Sequence, residues 1–229
     1  MKRNNGEGAY TKWDLKKLAA EYDDIATKTI PDMEHFYRAV TDALPEHSAR
    51  VLELGCGTGL LTARIRRTHP DTAVTCVDNS EAMLAAARQK PELCDVTLTQ
   101  GDIRDPWPDG PYDAIMSTFC LIALESDERR VLLRRAYDVL RPGGVCITGC
   151  VVRPPNAEEE QRELARWVTF MQDAGLGPDE IQRQRLSWDD TRARIPTAEG
   201  FREMIEEAGF TQIQCPYHRG LYAIFVGVR

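Results

Sequence analysis

Residues Val51-Leu52-Glu53-Leu54-Gly55-Cys56-Gly57-Thr58-Gly59 constrain this chain more than any other stretch. The short apolar run predicts a buried strand. Three alternating glycines follow, and a helical pattern opens behind them at Leu60, Leu61, Ala63 and Ile65. Glycine takes up left-handed backbone without a Cβ clash and lets main chain approach a ligand closely. Strand, glycine turn and helix N-terminus together make a seat for a nucleotide-like molecule.

From residue 50 onward strands alternate with helices. Strands are expected at Val51–Leu54, Ala73–Val77, Val96–Thr99, Ala114–Thr118 and Val145–Val152, and helices at Leu60–Arg67, Glu81–Gln89 and Asp127–Leu140. Ser80 and Ser126 stand where N-caps belong, and Pro142-Gly143-Gly144 is a stop signal for the third helix. After an insertion, a helix is expected at Thr197–Ala208. Apolar runs at Thr211–Cys215 and Leu221–Val228 follow, joined through His218-Arg219-Gly220 as a hairpin. This rhythm predicts an α/β fold: a Rossmann-like, doubly wound sheet of seven strands, the last antiparallel.

Two further helices are expected ahead of the glycine turn. One spans Tyr10–Tyr22; the other spans Pro31–Leu44, with Pro31 in its first position and Met33, Phe36, Tyr37, Val40 and Leu44 on one face. Met1–Gly8 is polar and expected to be disordered. The insertion 153–196 carries a helix at Ala157–Ala174 and then a polar stretch around Trp188, and reads as a cap. The division expected is a helical lid over 1–45, a core over 46–152, the cap over 153–196, and a completing helix and hairpin over 197–229.

The chain has 229 residues and a formal net charge of −7, which argues against broad contact with nucleic-acid backbone. No signal peptide or membrane-length apolar window is visible. The seven cysteines show no metal-ligand spacing and read as reduced thiols. A cytoplasmic protein, monomer or homodimer, is expected.

The residues after the glycine turn narrow the ligand. A dinucleotide fingerprint needs a small residue where Leu60 stands, and Leu60 would obstruct a pyrophosphate. Glu53 puts a carboxylate at the strand end, which suits a ligand with a cationic amine. Asp78, at the end of the next strand, is placed to accept from ribose hydroxyls. Asp102 follows the third strand, where it can accept from an adenine amine, with Met83 and Ile103 on either side of the base. The constellation suits adenosine with an amino-acid head and no phosphates.

Four ordered segments, Glu53-Leu-Gly55-Cys56-Gly57-Thr-Gly59, Asp78-Asn79-Ser-Glu-Ala-Met83, Gly101-Asp102-Ile103 and Leu140-Arg-Pro142-Gly143-Gly144, resemble the motifs of class I S-adenosylmethionine-dependent methyltransferases. The resemblance spans roughly Val51 to Arg229. It implies S-adenosylmethionine as methyl donor. It also implies that the glycine turn cradles the methionine part, that Asp78 holds the ribose, and that Asp102 with the Ile103 amide holds adenine. Backbone near Thr118 would meet the methionine amine. Tyr22-Asp23 and Ile30-Pro31 resemble the lids of small bacterial methyltransferases and, more weakly, carboxy-S-adenosylmethionine synthase. Tyr22 then reads either as an aromatic face over the sulfonium or as a packing residue.

Methyl transfer is an in-line displacement in which alignment does most of the work. A base is needed only where the acceptor keeps its proton. Many small-molecule relatives place histidines where Ile122 and Ala123 stand, so any base here must come from lid or cap. His35, Tyr37, Glu125 and His218 are the candidates. Trp167, Phe170 and Trp188 are candidate walls of an acceptor pocket, and Arg153 a candidate partner for an acidic acceptor. The reading is methylation of a small molecule. The alternatives are carboxy-S-adenosylmethionine synthesis, tRNA-directed methylation, and a binding module without turnover.

Overall fold

A computed structural model describes residues 12–229, with side chains from residue 19 onward. The expectation of disorder over Met1–Gly8 lies outside the described residues. Seven strands form one sheet in the order β3-β2-β1-β4-β5-β7-β6. They are β1 (Arg50–Leu54), β2 (Ala73–Asp78), β3 (Thr97–Gln100), β4 (Tyr112–Thr118), β5 (Leu140–Val151), β6 (Thr211–Arg219) and β7 (Tyr222–Val228). The first five are parallel, and β7 runs antiparallel to both β5 and β6.

Period-two alternation sorts the apolar side chains into two layers. Val51, Met116 and Ile147 belong to one cluster, and their neighbours Leu52, Ile115 and Cys146 to the other. Both faces are therefore covered, as a mostly parallel sheet requires. On the first face lie α1 (Lys12–Thr29), α2 (Met33–Asp42), α3 (Leu60–Thr68) and the cap helices α6 (Ala157–Asp173) and α7 (Pro178–Thr191). On the second lie α5 (Ser126–Val139) and α8 (Ala198–Glu207). The short α4 (Glu81–Ala87) follows β2, with Ser80 Oγ accepting from the Met83 amide as its N-cap. β1 and β4 are sequence-distant neighbours, so the winding reverses between them. Crevices at the carboxyl ends of strands open at such a point.

Four local expectations need correction. Pro31 does not open α2. Asp32 is the N-cap, in left-handed backbone (φ 53°), and its carboxylate is engaged by Arg219 instead of capping. Ser126 is the first residue of α5 rather than its cap. Glu125 occupies the N-cap, and Glu128 accepts from its amide at 3.0 Å. Pro142 does not stop this helix: it ends at Val139, and the Pro-Gly-Gly run is already part of β5. Finally, the polar stretch around Trp188 is the helix α7. Only Ile181 and Trp188 are buried along it, so the apolar period was too sparse to read.

The cap is fastened by a carboxylate that reads from sequence as part of a solvated acidic first turn. Glu160 is buried and accepts from Trp188 Nε1 (3.1 Å) and from Arg192 Nε and Nη2 (2.8 Å each). The Arg192 fork and the indole draw the Glu160 carboxyl below the usual carboxylate range. This joins α6 to α7 and fixes the plane of Trp188.

Candidate functional site

The glycine turn is built as its residues dictate. Gly55, Gly57 and Gly59 all hold positive φ. A Cβ on Gly55 would stand 2.3 Å from Cys120 Cβ, so the β1 loop and the turn after β4 approach more closely than any side chain allows. Asp78 anchors the loop from the neighbouring strand. Its Oδ2 accepts from the Gly57 amide (2.7 Å) and its Oδ1 from the Ser80 amide (2.9 Å). Burial holds the Asp78 carboxyl above its ordinary range, against those two bonds.

Glu53 is fully enclosed beneath the loop. Thr62 Oγ1 donates to its Oε2 at 2.6 Å. Burial pushes the Glu53 carboxyl up to about 7. The Thr62 bond opposes this and the Asp78 charge adds to it. Glu53, Gly55, Cys56, Gly57 and Thr118 line a narrow cavity of about 30 Å³, which Tyr22 and Tyr37 cover from the two lid helices. No basic side chain lines it among the described residues. The donor set suits an adenosyl sulfonium with an amino-acid head. Glu53 and the aromatic rings on the wall, with Asp78 beside the loop, match its cations and hydroxyls, and no basic side chain on the wall among the described residues meets a pyrophosphate.

The lid is tied to the loop by one carboxylate. Asp23 accepts from Thr58 Oγ1 (2.5 Å) and Lys90 Nζ (2.7 Å), and Lys90 also donates to the Thr58 carbonyl (2.8 Å). The face of α1 beyond this tie carries Tyr22, Ile25, Ala26 and Thr29, at helical spacing. Those four residues line a second cavity of about 210 Å³, with Trp167, Trp188 and Tyr222 opposite. Tyr22 and Phe119 line both cavities and stand between them.

No sequence pattern assigns a role to Phe119. It is a non-glycine residue in left-handed backbone (φ 62°), stacked on Phe36 at 5.0 Å and edge-on to Tyr222 at 5.9 Å. Strained backbone of this kind gathers at functional sites. Arg129 also went unread. Its guanidinium is buried and donates to the carbonyls of Leu121 (3.1 Å), Leu124 (2.8 Å) and Arg194 (3.1 Å). That holds the short 3-10 turn Cys120–Ala123 against the turn that follows α7. No local pattern announces either role, since both depend on what the fold brings near.

Several candidates lie apart from the two cavities. His35 is exposed on α2, edge-on to Tyr217 and 3.3 Å from Asp32. Glu125 is exposed at the start of α5 and paired with Arg194 at 3.2 Å. His218 and Arg153 line an outer groove with Glu159 and Glu163, on the far side of α6. Phe170 packs against the core without reaching either cavity wall. Tyr37 does face the donor cavity, but burial raises its phenol far above the ordinary range, so it keeps its proton at neutral pH. Cys120 donates to the Leu54 carbonyl (3.1 Å) and lies 2.8 Å from Ser117 Oγ; burial pushes the thiol up to about 12, away from any nucleophilic role.

Asn79 is exposed beside Asp78, and Met83 is half-buried on α4. Asp102 is held by Arg104, whose amide and Nε donate to Oδ1 (2.9 Å each) and whose Nη2 donates to Oδ2 (2.6 Å). Ile103 faces α5 beside Leu132. No cluster of metal-binding side chains occurs among the described residues, and no helix among them is long and apolar enough to cross a membrane.

Known proteins resemble this chain in sequence and in fold. Residues 51–144 match the family model described as a methyltransferase domain. The carboxy-S-adenosyl-L-methionine synthase of Wolinella succinogenes is 27% identical over 220 residues, covering 92% of this chain and 90% of that one. An uncharacterized methyltransferase of Oceanobacillus iheyensis is 30% identical over 155 residues, covering 65% of this chain and 71% of the relative. Among solved structures, human N-acetylserotonin methyltransferase in complex with its donor superposes with a TM-score of 0.66 at 16% identity. The match covers 96% of this chain but only 56% of the human one, and the likeness concerns the fold.

Proposed function

The chain belongs to the class I S-adenosylmethionine-dependent methyltransferases, and on that premise we propose that it methylates a small molecule held between lid and cap. The observation that carries this reading is the pair of cavities meeting at Tyr22 and Phe119. One is lined by the Glu53 carboxylate, with Asp78 anchoring the loop beside it; the other is walled mostly by apolar and aromatic side chains, as small-molecule pockets are. S-adenosylmethionine is a substrate here, consumed at each turnover. Asp78 would take the ribose, Glu53 the ammonium and Tyr22 the sulfonium face. Ligand pockets run to about 300–1,000 Å³, so admitting the donor requires α1 to lift from the glycine loop, which breaks the Asp23 tie.

Carboxy-S-adenosylmethionine synthesis is a second reading, favoured by relatives of that name that align over most of the chain. It brings a free carboxylate close to the sulfur. No lysine, arginine or histidine lines either cavity among the described residues. Mass spectrometry of nucleosides released from the purified protein separates the two. S-adenosylmethionine and S-adenosylhomocysteine alone are expected; an adduct heavier by one carboxyl group would reverse the ranking. The acidic balance disfavours a tRNA substrate, and donor turnover insensitive to salt is expected.

Donor affinity is expected to depend on pH through Glu53. Its folded-state pKa is raised to about 7, so the native protein holds a proton there that the unfolded chain has lost. Stability from this group is present at low pH and lost as pH rises through about 7. A bound ammonium favours the ionised carboxyl and reverses that balance. Donor affinity should therefore fall about tenfold for each pH unit below 7, with one proton released on binding. Calorimetry in buffers of different ionisation enthalpy reads the proton directly. Glu53→Gln should bind weakly at every pH, and a wild-type affinity flat from pH 5.5 to 8 excludes Glu53 from contact with the amine.

A further inference from the structure

Among the described residues that line the 210 Å³ cavity, none is able to take a proton from an acceptor at neutral pH. Among the described residues no aspartate, glutamate, histidine, lysine or arginine lines it. Its two phenols stay protonated at neutral pH: burial raises both Tyr22 and Tyr222 above the ordinary range, and Tyr222 already donates to the Thr29 carbonyl (2.9 Å). Ile122, an apolar side chain, forms part of the wall. Polar atoms come chiefly from one side, from Gln184, Ser187 and Thr191 on α7. Thr191 Oγ1 is turned back to the Ser187 carbonyl (2.7 Å).

Such walls reject two common acceptor types. A phenol needs a base, and a carboxylate would be desolvated without a partner. They accept a neutral ring with a lone pair already free. Building on the methyltransferase reading above, we infer that the acceptor is an uncharged, flat aromatic molecule that receives the methyl group on a pyridine-type nitrogen. The nitrogen lone pair forms the new N–C bond as the C–S bond breaks, and that bonding pair returns to sulfur. No proton moves. The positive charge passes from sulfur to nitrogen, and aromatic faces at Trp167, Trp188 and Phe119 suit the cation formed.

Three probes of similar shape test this on the full chain with methyl-labelled donor: quinoline, 1-naphthol and 1-naphthoic acid. Label should pass to quinoline at least a hundredfold faster than to either competitor, at a rate flat between pH 7 and 9. Ile122→His, which gives the cavity a base, should raise transfer to naphthol at least tenfold at pH 8, with a melting curve to verify folding. Faster transfer to naphthol or naphthoate by the natural chain, or transfer to none of the three while the donor still binds by calorimetry, overturns the acceptor assignment alone. Absence of donor binding, or accumulation of a carboxylated donor, overturns the methyltransferase reading and the acceptor with it.

Discussion

Replacing Asp78 by alanine is expected to lower affinity for S-adenosylmethionine at least tenfold and to lower stability by about 1–3 kcal/mol. A carboxylate offers about four lone-pair sites. Two are taken by the amides of Gly57 and Ser80, which leaves the others for the ribose hydroxyls. Alanine removes both sets. The ribose loses its acceptors, and the glycine loop loses its anchor to β2. Relief of a buried charge offsets part of the stability cost, since burial holds this carboxyl above its ordinary range. Two orphaned amides outweigh that relief. Asp78→Asn keeps one acceptor oxygen and should fall between alanine and the natural residue. Isothermal titration and urea denaturation measure the two quantities; an unchanged affinity in the alanine variant removes Asp78 from the donor site.

Gly55→Ala should abolish measurable donor binding and destabilise the fold by about 2–5 kcal/mol, the sum of left-handed strain and overpacking. The backbone there has φ +72°, and the added Cβ would meet Cys120 Cβ at 2.3 Å and its Sγ at 2.7 Å. Gly57→Ala is the matched control. Its φ is +55°, but nothing lies within 4 Å of an added Cβ, so it carries the strain alone, about 1–2 kcal/mol. Cys120→Ala should not rescue Gly55→Ala, because the closer clash is with the Cβ that alanine retains; Cys120→Gly should recover part of the loss. Equal melting midpoints for the two glycine variants would show that the approach of Cys120 does not matter.

The core was legible because its information is local. Buried strands such as β1 and β4 announced themselves as apolar runs, and helices α3, α4 and α8 carried caps or glycine starts beside them. Errors fell where tertiary contacts outweighed local signals. Glu128 displaced Ser126 from capping α5, Arg219 drew Asp32 into a salt bridge, and α7 was masked by its polar surface. Glu160 read as one acid in a solvated run and proved to be the buried clasp of the cap. A carboxylate's burial depends on what packs over it, and its neighbours in sequence do not encode that.

By itself the sequence determined the sheet and the glycine turn with its two carboxylates. Glu53, the three glycines and Asp78 lie within one strand-turn-helix-strand unit, where backbone geometry follows from the residues themselves. The cavity beside the turn was decided only by the tertiary structure. Tyr22, Phe119, Trp188 and Tyr222 come from the lid, the β4 turn, the cap and the last strand, and become one wall only after the chain has wound twice across the sheet. Proximity between such distant segments comes from packing many side chains at once, and no short pattern records it.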